Sequence, residues 1–380
     1  MLKTCACINL MSTPSSPIWL DAPNVGALEK EYLARAIDSG FVSTVGPFVP
    51  EFEQRMARWL GATAAVSTQS GTAALHVSLL ESGVGDDDEV VLPALTFVAT
   101  ANPIRYVRAR PVFVDVDLDS WTMDVDLCAQ ALTERTKVLL PVHLLGNPAN
   151  MDALQTLARQ HSLTIIEDAT ESLGATWNGA PMATFGDFGC LSFNGNKTMT
   201  TGGGGMVIGA DPERLQHVKF LVNQARDESL GYYHPEVGLN YRMTNLEAAL
   251  GLAQLARLDD FVARKQRFHE IYAEQLRGIR GIRLQREIGP GRSSWWLNAV
   301  FFEHEDINVS ELQKALLARG VQCRRLFMPI VEFPPYQDFA KQPCTNSQRI
   351  YEHTICLPSS TLNAEHDVEH VCATLKELIG

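Results

Sequence analysis

Six short apolar runs recur through the first half of the chain: EVVLP (89–93), RPVFVDVD (110–117), KVLLPVHL (137–144), LTIIEDA (163–169), FGCLSFN (188–194) and GGMVIG (204–209). They are continuous rather than alternating and rich in β-branched residues, the pattern of strands buried on both faces. Segments with helical spacing lie between several of them: TAALHVSLLESG (72–83), TANPIRYVRA (100–109), VDLCAQALTERT (125–136) and MDALQTLARQHS (151–162). Such alternation predicts an α/β fold, a mostly parallel sheet with helices on both faces. The link between the last two runs is too short for a crossover helix, so one strand there is expected to run against the others.

Beyond residue 210 the texture changes. NLEAALGLAQLARLDDFVARKQRFHEIYAEQLRGI (245–279) keeps helical spacing over a long span and predicts a long helix. It leads toward WWLNAVFFE (295–303), a helix at 308–320 and a final helix at 363–379. This predicts a large α/β domain over 19–254 and a smaller α+β domain over 255–380. The first residues, MLKTCACINLMSTPSSP, read as a disordered leader over 1–18, with Met11 an alternative start. The short apolar part, broken by Asn9, and the lack of a cleavage site argue against a signal peptide.

Composition narrows the function classes. The 380 residues are 46% hydrophobic and 20% charged, as in soluble globular proteins. No stretch reaches the length of a membrane span. The formal net charge of −12, with no basic stripe, disfavours nucleic acid. None of the eight cysteines forms Cys-x-x-Cys or pairs with histidines at zinc spacing. Reduced thiols in a cytoplasmic protein are expected, and no metal.

Three strand ends carry candidate chemistry, because ligands in an open α/β sheet bind at the carboxyl ends of strands. In STQSGTAAL (67–75), small residues turn at Gly71 and open a helix, whose free N–H groups suit a phosphate at Gly71 and Thr72. In IIEDATESLGA (165–175), Glu167 and Asp168 close an apolar strand, where a semi-buried carboxylate needs a cation or hydrogen bonds. In LSFNGNKTMTTGGGGMVIG (191–209), Lys197 precedes four glycines. This is no P-loop, since Asn196 and Leu191 stand where that motif needs glycine. The order phosphate turn, aspartate, lysine fits pyridoxal 5'-phosphate (PLP). A lysine amine bonds its aldehyde, a carboxylate keeps its ring nitrogen protonated, and a helix N-terminus holds its phosphate.

The chain resembles the DegT/StrS family of PLP-dependent sugar-nucleotide aminotransferases, of fold type I. The resemblance runs from about Trp19 to the C-terminus, through SGTAALHVSLL, DEVVLPALTFVATANPIRYVRARPVFVDVD, PVHLLGNPANMDAL, IIEDATESLGA, SFNGNK, TTGGGGMV and GLNYRMTNLEAALGLAQL. The SFNGNK form is similar to the subset acting on UDP-linked 4-keto-6-deoxy N-acetylated sugars. The stretch MPIVEFPPYQ lacks the histidine of the family's His-Leu-Gln-Pro pattern.

The resemblance implies roles. Lys197 is the catalytic lysine that bonds the cofactor and moves the proton. Asp168 pairs with the pyridine nitrogen, Phe97 stacks on the ring, and Glu171 meets the ring hydroxyl, where many relatives carry glutamine. Gly71, Thr72 and Ser192 hold the phosphate, and Asn240 reaches the neighbouring site of a homodimer. His143, Arg226, Arg242, Arg324 and Arg325 are candidates for substrate. The implied reaction aminates the C4 keto group of a nucleotide-linked sugar in amino-sugar or surface-glycan biosynthesis. Glutamate is the donor, and the cofactor cycles through pyridoxamine phosphate. A PLP lyase or amino-acid transaminase of the same fold, or a non-catalytic relative, is the alternative. Lys197 argues against the related dehydratases, which carry histidine there. The glycines are expected to turn the chain tightly back into the sheet, or to order only with cofactor.

Overall fold

The computed structural model describes residues 17–304 and 306–380. Helices α1 (Ala27–Asp38) and α2 (Phe48–Leu60) lead into β1 (Ala64–Thr68). An alternating series follows: α3 (Gly71–Glu81), β2 (Glu89–Pro93), α4 (Val98–Tyr106), β3 (Arg110–Val114), α5 (Val125–Ala131), β4 (Thr136–Leu139), α6 (Met151–His161) and β5 (Thr164–Asp168). Then come the small hairpin β6 (Thr176–Trp177) and β7 (Ala180–Pro181), the strands β8 (Phe188–Ser192) and β9 (Gly205–Gly209), and helices α7 (Pro212–Val222) and α8 (Asn245–Leu255).

Seven of these strands form one sheet in the order β1-β9-β8-β5-β4-β2-β3. Five neighbours are parallel to one another, and β9 runs antiparallel to both β1 and β8. The short 193–204 link thus reverses the chain, as the spacing predicts. Both faces of the sheet are buried: Val90 and Leu92 pack toward α3, α4 and α7, while Val91 packs toward α5 and α6. Around β1 and β9 the second face is closed by α1, α2 and α8.

The chain continues through α9 (Leu258–Gln275), β10 (Ile282–Leu284), β11 (Gly291–Arg292), β12 (Asn298–Phe302), α10 (Val309–Ala318), β13 (Arg324–Arg325), α11 (Thr345–His353), β14 (Thr354–Leu357) and α12 (Glu365–Ile379). An antiparallel sheet β10-β12-β14-β13 packs on α9, α10 and α12. Strand β11 joins the β6–β7 hairpin.

Several expectations are corrected. The long helix over 245–279 is two helices, broken at Ala256 and Arg257, a break without glycine or proline to announce it. The 125–136 helix stops at Ala131, because Leu132 is extended (φ −65°, ψ 140°). Strand β1 was not marked by an apolar run, since AAVST is built from small residues. Ile18, expected to fall in a disordered leader, is 2% exposed and bridges Val321. Residues 1–16, with Cys5, Cys7 and Met11, lie outside the described residues.

Among the described residues the six cysteines are free and no group of side chains is arranged to hold a metal. No described helix is long and apolar enough to cross a membrane.

Candidate active site

A cavity of about 280 Å³ opens at the carboxyl ends of the parallel strands. Its lining draws on the turns after β1, β2, β5 and β8, together with Trp296, Arg324 and Phe327 from the C-terminal part of the chain. Because β9 is reversed, its first residue lies at this same rim, with Gly205 opposite Thr68 and Ser192.

Ser70 caps α3, its hydroxyl accepting from Ala73 N at 3.0 Å. The turn is packed so closely that a Cβ on Gly71 would lie 2.9 Å from both Ser192 Cβ and Thr170 Cγ2. A Cβ on Gly205 would meet the Ser70 backbone at 2.4 Å. Gly202 and Gly204 have φ of +87° and +103°, which L side chains rarely adopt. Gly204 N donates to Gln69 O at 2.9 Å, fastening the glycine run under the α3 turn. The glycines therefore turn the lysine loop back into the sheet, with Gly203 and Gly204 at the cavity wall. The α3 N-terminus, with its free N–H groups and the positive end of the helix dipole, is the part of the cavity suited to an anion.

The pleat of β5 separates its two terminal carboxylates. Glu167 faces away from the cavity and accepts from Ala183, Phe185 and Gly186 N–H groups at 3.0, 2.7 and 2.7 Å. Asp168 faces the cavity and is 3% exposed. Thr100 Oγ1 donates to its Oδ2 at 2.7 Å, and Thr170 Oγ1 to its Oδ1 at 2.7 Å. Among the described residues it has no ion pair, so a buried carboxyl group is aimed at the cavity with hydroxyl and backbone N–H donors around it.

Lys197 sits on the turn after β8. Its Nζ lies 3.4 Å from Glu171 Oε1 and 3.9 Å from the centre of the Trp296 ring. Glu171 Oε2 accepts from Leu145 N at 2.9 Å, the N–H of a residue in left-handed conformation (φ +58°). Burial holds the Glu171 carboxyl above the usual carboxylate range, against the opposing pull of Lys197 and the Leu145 N–H. Phe97 lines the cavity with its ring half exposed, 5.5 Å from Phe327.

The substrate candidates divide. Arg324 lines the cavity between the rings of Trp296 and Phe327, 5.5 and 5.0 Å from their centres. Its Nε and Nη2 are buried without hydrogen-bond partners. The other candidates lie off the lining. His143 is fully buried. Its Nδ1 accepts from Ala149 N, which leaves Nε2 to donate to Glu167 at 3.1 Å, so both ring nitrogens are taken by the fold. Arg325 turns outward to Tyr351 O and Glu352 O. Arg226 donates to Gly231 O on an exposed loop. Arg242 Nε is buried away from the cavity lining. Asn240 is exposed and bridges Asn223, outside its own chain's cavity.

Residues 23–376 match the DegT/DnrJ/EryC1/StrS aminotransferase family. GDP-perosamine synthase of Caulobacter vibrioides is 35% identical over 360 residues, covering 94% of this chain and 97% of that one. The chain belongs to the DegT/DnrJ/EryC1/StrS aminotransferase family. Among solved structures, DesI in the presence of its TDP-sugar product superposes with a TM-score of 0.89 at 30% identity, over 97% of this chain and 94% of that one. Spr1654 from Streptococcus pneumoniae, in its PLP form, gives 0.89 at 27%, over 95% and 98%.

The cavity of this aminotransferase fits PLP, its cofactor. The cradle at Gly71 leaves no room for a side chain, the isolated Asp168 carboxylate suits a ring cation, and Lys197 reaches the same space. Thr100, Thr170 and Trp296, which hold Asp168 and cover Lys197, were missed by sequence reasoning. Thr100 lies in a stretch that carries the resemblance, but only the sheet order brings its hydroxyl to Asp168; Trp296 lies outside every such stretch.

Proposed function

We propose that the enzyme transfers the amino group of glutamate to the C4 keto carbon of a nucleotide-linked 4-keto-6-deoxy sugar, releasing 2-oxoglutarate and the amino sugar. The observation that supports this best is the meeting of Lys197, Asp168 and the α3 N-terminus in one cavity. Bound PLP supplies an electron sink for the carbanion that forms when a proton leaves the substrate carbon. The chain's own residues do the rest. Lys197 Nζ takes the proton from the glutamate α-carbon in one half-reaction and delivers a proton to sugar C4 in the other. Asp168, held by Thr100 and Thr170, would pair with the cofactor's ring nitrogen and favour its protonated form, and Phe97 would stack on the ring. Gly71, Thr72 and Ser192 hold the phosphate. Arg324 offers unpaired donors to an anionic group of the substrate, which we assign to the nucleotide diphosphate.

Three nucleotides compete. The SFNGNK form favours UDP, similarity to a GDP-perosamine synthase favours GDP, and similarity to DesI, solved with its TDP-sugar product, favours dTDP. The acting unit is proposed to be a homodimer in which Asn240 reaches the neighbouring site. Its place is amino-sugar biosynthesis for surface glycans, in the cytoplasm. The test is incubation with glutamate and UDP-, GDP- and dTDP-linked 4-keto-6-deoxy sugars, with products identified by mass and NMR. One amino sugar formed in step with 2-oxoglutarate is expected. Free ammonia or pyruvate in its place would make the enzyme a lyase. Purified protein should show a visible absorption band that Lys197→Ala loses, and wild type without bound PLP would sink the reading.

A further inference from the structure

Against the backbone of Trp296, off the cavity lining, lies a second lysine that the reaction does not use. Lys265, on α9, is 3% exposed. Its Nζ donates to Trp296 O at 3.0 Å and to Ser359 O at 2.7 Å. A buried ammonium is costly to keep unless firmly hydrogen-bonded, so a lysine here implies a use for it. Burial lowers it to about 7, with Asp21 pulling the other way.

The contacts around it close on Lys197. The Trp296 indole Nε1 donates to Asn196 O at 2.6 Å, beside Lys197 in the chain. Asn196 Nδ2 donates to Asp21 Oδ2 at 3.0 Å. A small polar cavity of about 10 Å³ completes the arrangement, and the charged groups on its lining are Asp21, Lys197 and Lys265. Segments near residues 21, 196, 265, 296 and 359 thus converge behind the catalytic amine. The approach is allowed by Gly146, where a Cβ would meet Ser294 Oγ at 2.5 Å and Trp296 N at 3.0 Å.

We propose that Lys265 is a positioning residue for Lys197: it anchors the backbone of Trp296 from behind, so that the indole stays over the reacting amine. The inference rests on Lys197 being that amine. Lys265 acts in two ways, by fixing the ring and by adding positive charge behind it, with Asp21 as the opposing charge.

The test uses the holoenzyme and reads the pH midpoint of its visible absorption band as well as kinetics. Asp21→Asn should lower that midpoint by a few tenths of a unit to about one unit, because a nearby negative charge is lost. Lys265→Met should raise it, by as much where the midpoint lies below about 7 and Lys265 is charged, and by less above that. In Lys265→Met, kcat should fall about tenfold in both half-reactions with KM within about twofold. On a Trp296→Phe background the same substitution should cost less than about twofold, since the two act as a unit. Midpoints unmoved in folded variants, or an undiminished effect on the Trp296→Phe background, would overturn the proposal. If Lys265→Met does not fold, the opposite-signed shift in Asp21→Asn carries the test. A wild-type enzyme without the band would overturn the aminotransferase assignment as well, which separates the two failures.

Discussion

Thr100 donates its hydroxyl proton to Asp168 at 2.7 Å, joining the first turn of α4 to the end of β5 across 68 positions of sequence. The carboxylate is thereby oriented before any ligand arrives. Asp168→Asn should lower kcat/KM by about 10²–10³-fold, the scale seen when a preorganised charge partner is removed. Thr100→Val should cost only about five- to tenfold, the worth of one hydrogen bond to a charged group. Steady-state kinetics with the cofactor in excess separates the two from simple loss of binding.

Gly71→Ala should weaken cofactor binding by about ten- to a hundredfold, because the new methyl must push back Ser192 and Thr170. Gly85→Ala is the control, since a Cβ there meets nothing within 4 Å. PLP titration followed by absorbance distinguishes them. Equal affinities would argue that the α3 turn is not the phosphate cradle.

Arg324 and Arg325 are adjacent yet should behave differently. Arg324→Ala should raise KM for the sugar nucleotide about ten- to a hundredfold, from loss of charge-assisted hydrogen bonds. Arg325→Ala should leave KM unchanged and cost about 1 kcal/mol of stability through its lost bonds to Tyr351 O and Glu352 O. Kinetics and urea unfolding of both variants check the pair.

Burial raises the folded-state pKa of Glu171 above its unfolded value. The native state therefore holds more protons than the unfolded state between the ordinary glutamate value of 4.5 and that raised value. Its contribution to stability is present below that window and is lost as pH rises through it. In the apoenzyme, Glu171→Gln should flatten this part of the pH dependence. Urea midpoints measured from pH 4 to 8 would show whether wild type loses stability relative to the variant as pH rises.

The sheet was legible because its strands are continuous apolar runs, and the reversal at β9 because the link before it is short. What escaped was local. Strand β1 carries alanine, serine and threonine in place of larger β-branched residues, so its burial is set by neighbours rather than by its own pattern. The α8–α9 break is hidden because helix-forming residues run through Ala256 and Arg257, with no glycine or proline to mark it. At the site, sequence order pointed to Asp168 and Lys197, and the pleat decides between Glu167 and Asp168. His143 looked chemical as a histidine after a strand, yet its Nδ1 holds the loop that follows through Ala149 N and its Nε2 donates to Glu167 on β5. Arg226 and Arg325 satisfied a composition argument only, since a guanidinium's partner depends on tertiary geometry.

The reversed strand β9 also limits how the pocket can be remodelled. On that side the wall is main chain at Gly203 and Gly204, so nothing there can be trimmed to gain volume, and a side chain on Gly204 or Gly205 would press on Thr201, Met243 or the α3 turn. Room for a bulkier or differently shaped sugar has to come from side chains of the lining, of which Phe327 presents a ring with no assigned part in holding the cofactor. Efforts to broaden the substrate range should begin with that aromatic and leave residues 204 and 205 untouched.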